Sequence, residues 1–195
     1  MTRRLLFTLV LTGTLAPAAQ AQISDTARVA PPAVQWVDFE AGLKAASASG
    51  KHIMVDVYTD WCGYCKKLDA ETYAEEGVRR ILAESYVSVK LKGDSSRKLK
   101  VIGQALEAGG KTLLQFVPSD TGGTSEVGLS RTALRVRGFP TIAFLAPDGR
   151  LITKWDGYIN AERFTQMINF IKDDLYEVMT FNDYLESLDK AKEKS

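Results

Sequence analysis

The stretch Trp61-Cys62-Gly63-Tyr64-Cys65-Lys66 contains both cysteines of the chain, with two residues between them. The apolar run Ile53–Tyr58 precedes it and a helix-compatible segment follows, so the pair sits where a strand hands over to a helix. A thiolate at a helix start faces unpaired backbone N–H groups and the positive end of the helix dipole. Such settings lower a cysteine pKa from about 8.5 into a range of roughly 3.5–7.5. Cys62 then serves as a nucleophile at neutral pH. Cys65, one turn on and on the same face, can close a disulfide with it. Two other readings share the spacing. Half of a zinc site is one, but a structural site takes four ligands, His52 is the sole histidine and there is no second cysteine pair. A structural disulfide is the other, although so short a loop restrains the unfolded chain little.

Upstream, Val34–Val37 reads as a short strand. Asp38 is placed to cap a helix over Phe39–Ser49 that Gly50 ends, with Phe39, Leu43 and Ala46 as its apolar stripe. Ile53–Tyr58 reads as a buried strand, interrupted by Asp56. A charged residue there costs several kcal/mol unless it is paired or protonated. His52 reads as a surface residue at the strand start.

Downstream, the helix continues over Lys66–Tyr73, a second helix covers Glu75–Ser85, and Val87–Leu91 alternates as a strand. Arg97–Ala108 has helical spacing (Leu99, Ile102, Ala105, Leu106) and stops at Gly109-Gly110. The apolar run Leu113–Val117 follows, and Ser119–Ser125 reads as an exposed loop. Ser130–Val136 suggests a short helix, and Ile142–Ala146 a strand. Pro147–Arg150 forms a turn, from which Leu151–Trp155 returns as a hairpin strand. Asn160 caps a helix expected over Ala161–Met179, with Phe164, Met167, Ile168, Ile171 and Leu175 on one face. A short amphipathic segment, Phe181–Leu188, and a charged tail end the chain.

The N-terminal 21 residues have the pattern of a secretory signal: Arg3 and Arg4, the apolar Leu5–Leu15, then Ala19-Gln20-Ala21 as a cleavage site. Residues 22–33 read as a flexible lead-in containing Pro31 and Pro32. The formal net charge of +1 becomes −1 once Arg3 and Arg4 are removed, which gives no electrostatic case for nucleic acid or an anionic membrane. The expected protein is exported, periplasmic and soluble. In a compartment that permits disulfides, a lone Cys-x-x-Cys reads as redox chemistry.

Several separated motifs resemble the thioredoxin superfamily. They are Val55-Asp56 followed by Trp61–Lys66; Lys90-Leu91 followed by Asp94; Val136-Arg137-Gly138-Phe139-Pro140-Thr141; and the Asp148-Gly149 hairpin with the last long helix. The Asp60-Trp61-Cys62 context is similar to exported members, such as thioredoxins of the SoxW kind and the periplasmic reducing domain of the transmembrane electron-transfer protein. Tyr64 departs from the proline of typical thioredoxins; a Gly-Tyr pair also occurs in periplasmic disulfide isomerases.

The resemblance implies an α/β thioredoxin-like fold, a mixed central sheet flanked by helices, over residues 34–180. An insertion (about 95–131) separates the Lys90 strand from the Pro140 loop, and residues 181–195 form a tail. It implies Cys62 as nucleophile and Cys65 as resolving thiol, with Asp56 managing the proton and Lys90 beside it. A cis Pro140 would face the cysteines, with the Phe139 backbone pairing with substrate. Trp61 would shield the site and Tyr64 tune it. The redox-active disulfide needs no cofactor or metal. The implied partners are disulfide-containing proteins and a membrane electron carrier as reductant, with the chain acting as a monomer. A reductase is the leading function. An oxidase, an isomerase and a non-catalytic binding or chaperone-like module are the alternatives.

Overall fold

The computed structural model describes residues 31–108 and 111–193, and side chains other than those of 108, 111 and 112. The expected signal (1–21) and most of the lead-in lie outside the described residues. The chain order is β1 (Trp36–Val37), α1 (Phe39–Ser49), β2 (His52–Tyr58), α2 (Gly63–Lys67), α3 (Glu76–Ser85) and β3 (Tyr86–Lys92). The strands β4 (Lys98–Leu99), β5 (Val101–Ala108), β6 (Lys111–Pro118) and β7 (Thr124–Ser125) follow. Then come α4 (Glu126–Gly128), β8 (Thr141–Leu145), β9 (Leu151–Asp156), α5 (Ala161–Lys172) and α6 (Phe181–Lys192).

Five strands form the central sheet in the order β1-β3-β2-β8-β9. The β1, β2 and β3 pairings are parallel, whereas β8 runs antiparallel to both β2 and β9. β2 is the middle strand and follows the period-two rule of a pleated sheet. Ile53, Val55 and Val57 enter one core with Phe39, Leu43, Leu91 and Phe116. Met54 enters the other core, with Leu68, Ile142, Phe144, Phe164 and Ile168. Asp56, two residues beyond Met54, therefore projects into the face that carries α2 and α5. Lys90 follows from the same rule: Val89 and Leu91 join the first core, so Lys90 points to the second, opposite Asp56 in register.

Local signals place the first elements. Asp38 accepts the Ala41 N–H at 2.8 Å and caps α1, and Gly50 ends it at φ 71°, a left-handed conformation that glycine adopts without a Cβ penalty. Glu75 caps α3 through the Val78 N–H.

Four expectations are corrected. Arg97–Ala108 is not helical: it forms β4 and β5, and β5 pairs with β6 from Val101↔Pro118 to Ala108↔Lys111. The apolar residues there meet a helical period by coincidence, and Gly-Gly between two such runs signals a hairpin. The short helix expected at Ser130–Val136 lies earlier. Ser125 caps α4, which runs on as a π-helical turn over Leu129–Ala133. The helix expected to reach Met179 stops at Lys172, where two acidic residues, Asp173 and Asp174, meet the negative end of its dipole. Asp174 turns left-handed (φ 53°) and Leu175 falls in a separate 3-10 turn. Finally, His52 is buried rather than on the surface. Its ring meets Asp174 at 3.1 Å and Tyr176 at 3.4 Å, and burial lowers its pKa against the pull of Asp174.

The segment from Phe181 is a single helix to Lys192, opened by a Thr180–Asp183 capping box. Phe181 and Tyr184 pack their rings on Phe170 of α5, each with centroids 5.4 Å apart.

Candidate active site

β2 delivers the chain to the site. Beyond Tyr58 the backbone turns, with the Cys62 N–H donating to the Thr59 carbonyl, and Cys62 becomes the N-cap residue of α2. The Cys62 sulfur accepts the Cys65 backbone N–H at 3.0 Å, one of the amides left without a helical partner at the helix start. The helical segment continues past Lys67 as a π-helical turn, Leu68–Thr72. Cys62 and Cys65 are joined as a disulfide, with Cα atoms 5.3 Å apart, and both are buried. No group of His, Cys, Asp and Glu able to hold a metal occurs among the described residues.

The Phe139–Pro140 peptide is cis. The Pro140 carbonyl accepts the Gly157 N–H at 2.8 Å, and the Thr141 hydroxyl donates to the Gly138 carbonyl, so the turn is tied on both sides. The Phe139 ring stands edge-on to Trp61, centroids 5.7 Å apart, which brings the cis-proline loop to the cysteine segment. Gly93 leaves room for that ring: a Cβ there would run into it. The Trp61 indole N–H donates to Asp94 at 3.1 Å while 69% of the residue stays exposed. Tyr64 is 63% exposed and lies beside Tyr158, whose hydroxyl donates to Glu71. Trp61 and Tyr64 thus give the surface around a buried disulfide two exposed aromatic side chains. Asp60 at the same loop pairs with Lys92.

Beneath the sheet face that carries α2, Asp56 is fully buried and bonds Lys90 Nζ through Oδ2 at 2.5 Å. Its Oδ1 is buried without a hydrogen-bond partner among the described residues. Burial raises the Asp56 pKa to about 6, more than the Lys90 charge and hydrogen bond pull it down. For Lys90, burial works downward, but the charges and hydrogen bonds of Asp56 and Asp69 prevail and the net shift is upward. The same ammonium bonds Asp69 at 2.8 Å and lies over the Trp36, Tyr58 and Tyr73 rings.

The structure therefore brings Trp61, next to Cys62, against Phe139, next to the cis Pro140, and pairs Asp56 with Lys90. Sequence reasoning missed Asp69 and the three rings. Asp69 was accessible in principle, because it lies four residues after Cys65 and so one turn further along the same helix face. Tyr58 follows Asp56 by two in a strand and shares its face.

A five-stranded mixed sheet, a helix-capping Cys-x-x-Cys disulfide and an adjoining cis-proline loop define a thiol–disulfide oxidoreductase of the thioredoxin class. Residues 39–172 match the family model of the thioredoxin-like domain, and the chain belongs to that family. It is 30% identical over 123 residues to the thiol:disulfide interchange protein DsbD of Yersinia enterocolitica, a match covering 62% of this chain and 16% of DsbD. Against the protein of that name from Pseudoalteromonas atlantica, identity is 49% over 41 residues, 21% of this chain and 7% of the relative. The chain thus spans a small part of these relatives. Among solved structures, a thioredoxin-fold protein from Helicobacter pylori superposes with a TM-score of 0.53 at 18% identity, covering 78% of this chain and 92% of that one. A thioredoxin from Thermus thermophilus gives 0.53 at 19% identity, covering 72% and 88%. These two likenesses bear on the fold alone.

Proposed function

We propose that the protein is an exported, periplasmic reductase of protein disulfides. The observation that carries this reading is the buried Asp56 carboxyl, with one oxygen on Lys90 and the other without a partner among the described residues, on the sheet face whose core includes Leu68 of the turn that continues the cysteine helix. Cys62 thiolate attacks a substrate disulfide, forming one S–S bond and expelling a substrate thiolate. Cys65 gives its proton to Asp56, attacks Cys62 and expels the second substrate thiolate. The substrate gains two electrons and the protein returns to its Cys62–Cys65 disulfide. A group that titrates near 6 when the solvent is near neutral is suited to this proton traffic.

The substrate segment adds as an extended strand along the Phe139 backbone, flanked by Trp61 and Tyr64. Export rests on the signal pattern in residues 1–21, and the matches to DsbD agree with it. Among the described residues no helix is long and apolar enough to cross a membrane. Re-reduction requires an electron donor, for which a membrane electron carrier is the fitting class. The protein works as a monomer under this reading, and the Cys62–Cys65 pair is its only redox group.

The direction of electron flow is set by the potential of the Cys62–Cys65 pair. Equilibration of the pair in defined dithiothreitol buffers is expected to give a potential near −270 mV, the thioredoxin range. A value near −120 mV would instead assign disulfide donation.

A further inference from the structure

We propose that Trp36 is a positioning residue for the redox site: its ring holds the Lys90 ammonium against the Asp56 carboxylate. The inference rests on the role given above to Asp56. Trp36 lies ahead of residues 39–172, the segment matched by the family, in a strand of two residues at the sheet edge.

The geometry supports this in three ways. Lys90 Nζ lies 4.6 Å from the Trp36 centroid, nearer than to Tyr58 (4.9 Å) or Tyr73 (5.7 Å), within the range of an effective cation–π contact. The indole is itself fixed, because Trp36 pairs with Ser88, two residues before Lys90 on the same face, and stands edge-on to Tyr73 at 5.1 Å. The ammonium also has somewhere else to go. The Lys90 side chain is 19% exposed and contributes to an open groove with Trp36, Asp69, Tyr73 and Arg79. A lysine stem is flexible and its head strongly hydrated. Asp69, itself half-exposed, competes with Asp56 for the same cation. The charged and titratable groups facing the pair are thus Asp69 and Tyr73 from the helical segment after Cys65, Tyr58 from β2 and Arg79 from α3 across the groove. Trp36 is the ring that tips this balance toward Asp56.

Without the indole, Lys90 spends more time away from Asp56 and offsets less of the burial cost of its carboxylate. Asp56 then titrates at higher pH. The test is the pH profile of insulin disulfide reduction by the full chain, with dithiothreitol supplying electrons, for the wild type, Trp36→Leu, Trp36→Phe and Asp56→Asn. Trp36→Leu is expected to move the acid-limb midpoint upward by about half a pH unit, the size of one exposed cation–π contact. Trp36→Phe should move it less, because phenyl holds a cation less well than indole. At alkaline pH, where Asp56 is ionised throughout, the rates should converge.

In a Lys90→Met background, Trp36→Leu should cause no further shift; a shift there would mean that the ring does not act through the lysine. An unmoved midpoint with a uniformly lower rate would reduce Trp36 to packing and overturn the proposal. Should Trp36→Leu fail to fold, Trp36→Phe carries the test alone, and an unshifted midpoint in that variant overturns it. If Asp56→Asn removes the acid limb while the Trp36 variants leave it in place, only the Trp36 proposal fails. If Asp56→Asn keeps the wild-type limb, the proton-acceptor role fails with it.

Discussion

Replacing Cys65 with Ala is expected to turn the protein from a catalyst into a stoichiometric trap. Cys62 keeps its helix-start position, where the Gly63–Lys67 backbone begins, so it can still attack a substrate disulfide. No thiol then remains to attack the mixed disulfide, and turnover should fall by at least about 1000-fold, as for loss of a member of a catalytic unit. Mass spectrometry after incubation of the reduced variant with a disulfide-bonded protein should show close to one equivalent bound covalently to Cys62. Cys62→Ser should abolish turnover without trapping anything, because a hydroxyl is not an effective nucleophile without an activating base. Trapping at Cys65 in the Cys62→Ser protein would reverse the two roles, and wild-type turnover in either variant would refute the dithiol mechanism. A binding module would retain its affinity in both.

Asp56→Asn is expected to have two effects of opposite sign. Resolution at neutral pH should slow by about 100-fold, the lower end for loss of a positioned proton acceptor. The defect should narrow above the ordinary thiol pKa of about 8.5, where Cys65 loses its proton to solvent. Stability of the oxidised protein should rise. The Asp56 pKa is raised from 3.8 to about 6, so the folded protein holds this proton more tightly than the unfolded chain. The wild type therefore loses stability, relative to the Asn variant, as pH climbs from about 4 to about 6, and the loss is complete above that window. The rise from 3.8 to about 6 corresponds to about 3 kcal/mol at pH 7–8, and the gain should vanish near pH 4. Lys90 keeps Asp69 as a partner in the variant, which limits the damage from an unpaired cation. Urea unfolding at pH 4 and pH 7.5 tests the linkage. Equal differences at the two pH values would mean that Asp56 does not titrate as described.

The elements around the cysteines were legible because each carries local chemistry. Asp38 and Gly50 bracket α1, the continuous apolar run Ile53–Tyr58 exposes Asp56 as an intruder, and the Asp148-Gly149 turn marks the β8–β9 hairpin. The cis peptide at Pro140 and the proximity of Lys90 to Asp56 followed from the family resemblance and not from spacing. The β5–β6 segment was misread because Leu99, Ile102, Ala105 and Leu106 satisfy a helical period by accident, while the deciding factor is pairing with a partner strand. His52 was misread for a related reason. Its burial depends on Asp174 and Tyr176, more than a hundred residues away, in a turn that the helical periodicity of α5 concealed. The aromatic surroundings of Lys90 come from three separate elements, and no window of sequence contains them.

The β5–β6 hairpin has a consequence for how the molecule opens. Its ladder joins neighbours in sequence, and it borders the main sheet through the Phe116 N–H on the Gly149 carbonyl and a Gln115↔Arg150 bridge. β2, in contrast, has β3 on one side and β8 on the other. In hydrogen-exchange terms the hairpin amides remote from the core residues Val101 and Phe116 should be released by local fluctuations, whereas those of β2 await global unfolding. Changes toward the Lys111 end of the hairpin should therefore cost the strand that holds Asp56 little, whereas changes at Val101 or Phe116 reach the core that this strand lines.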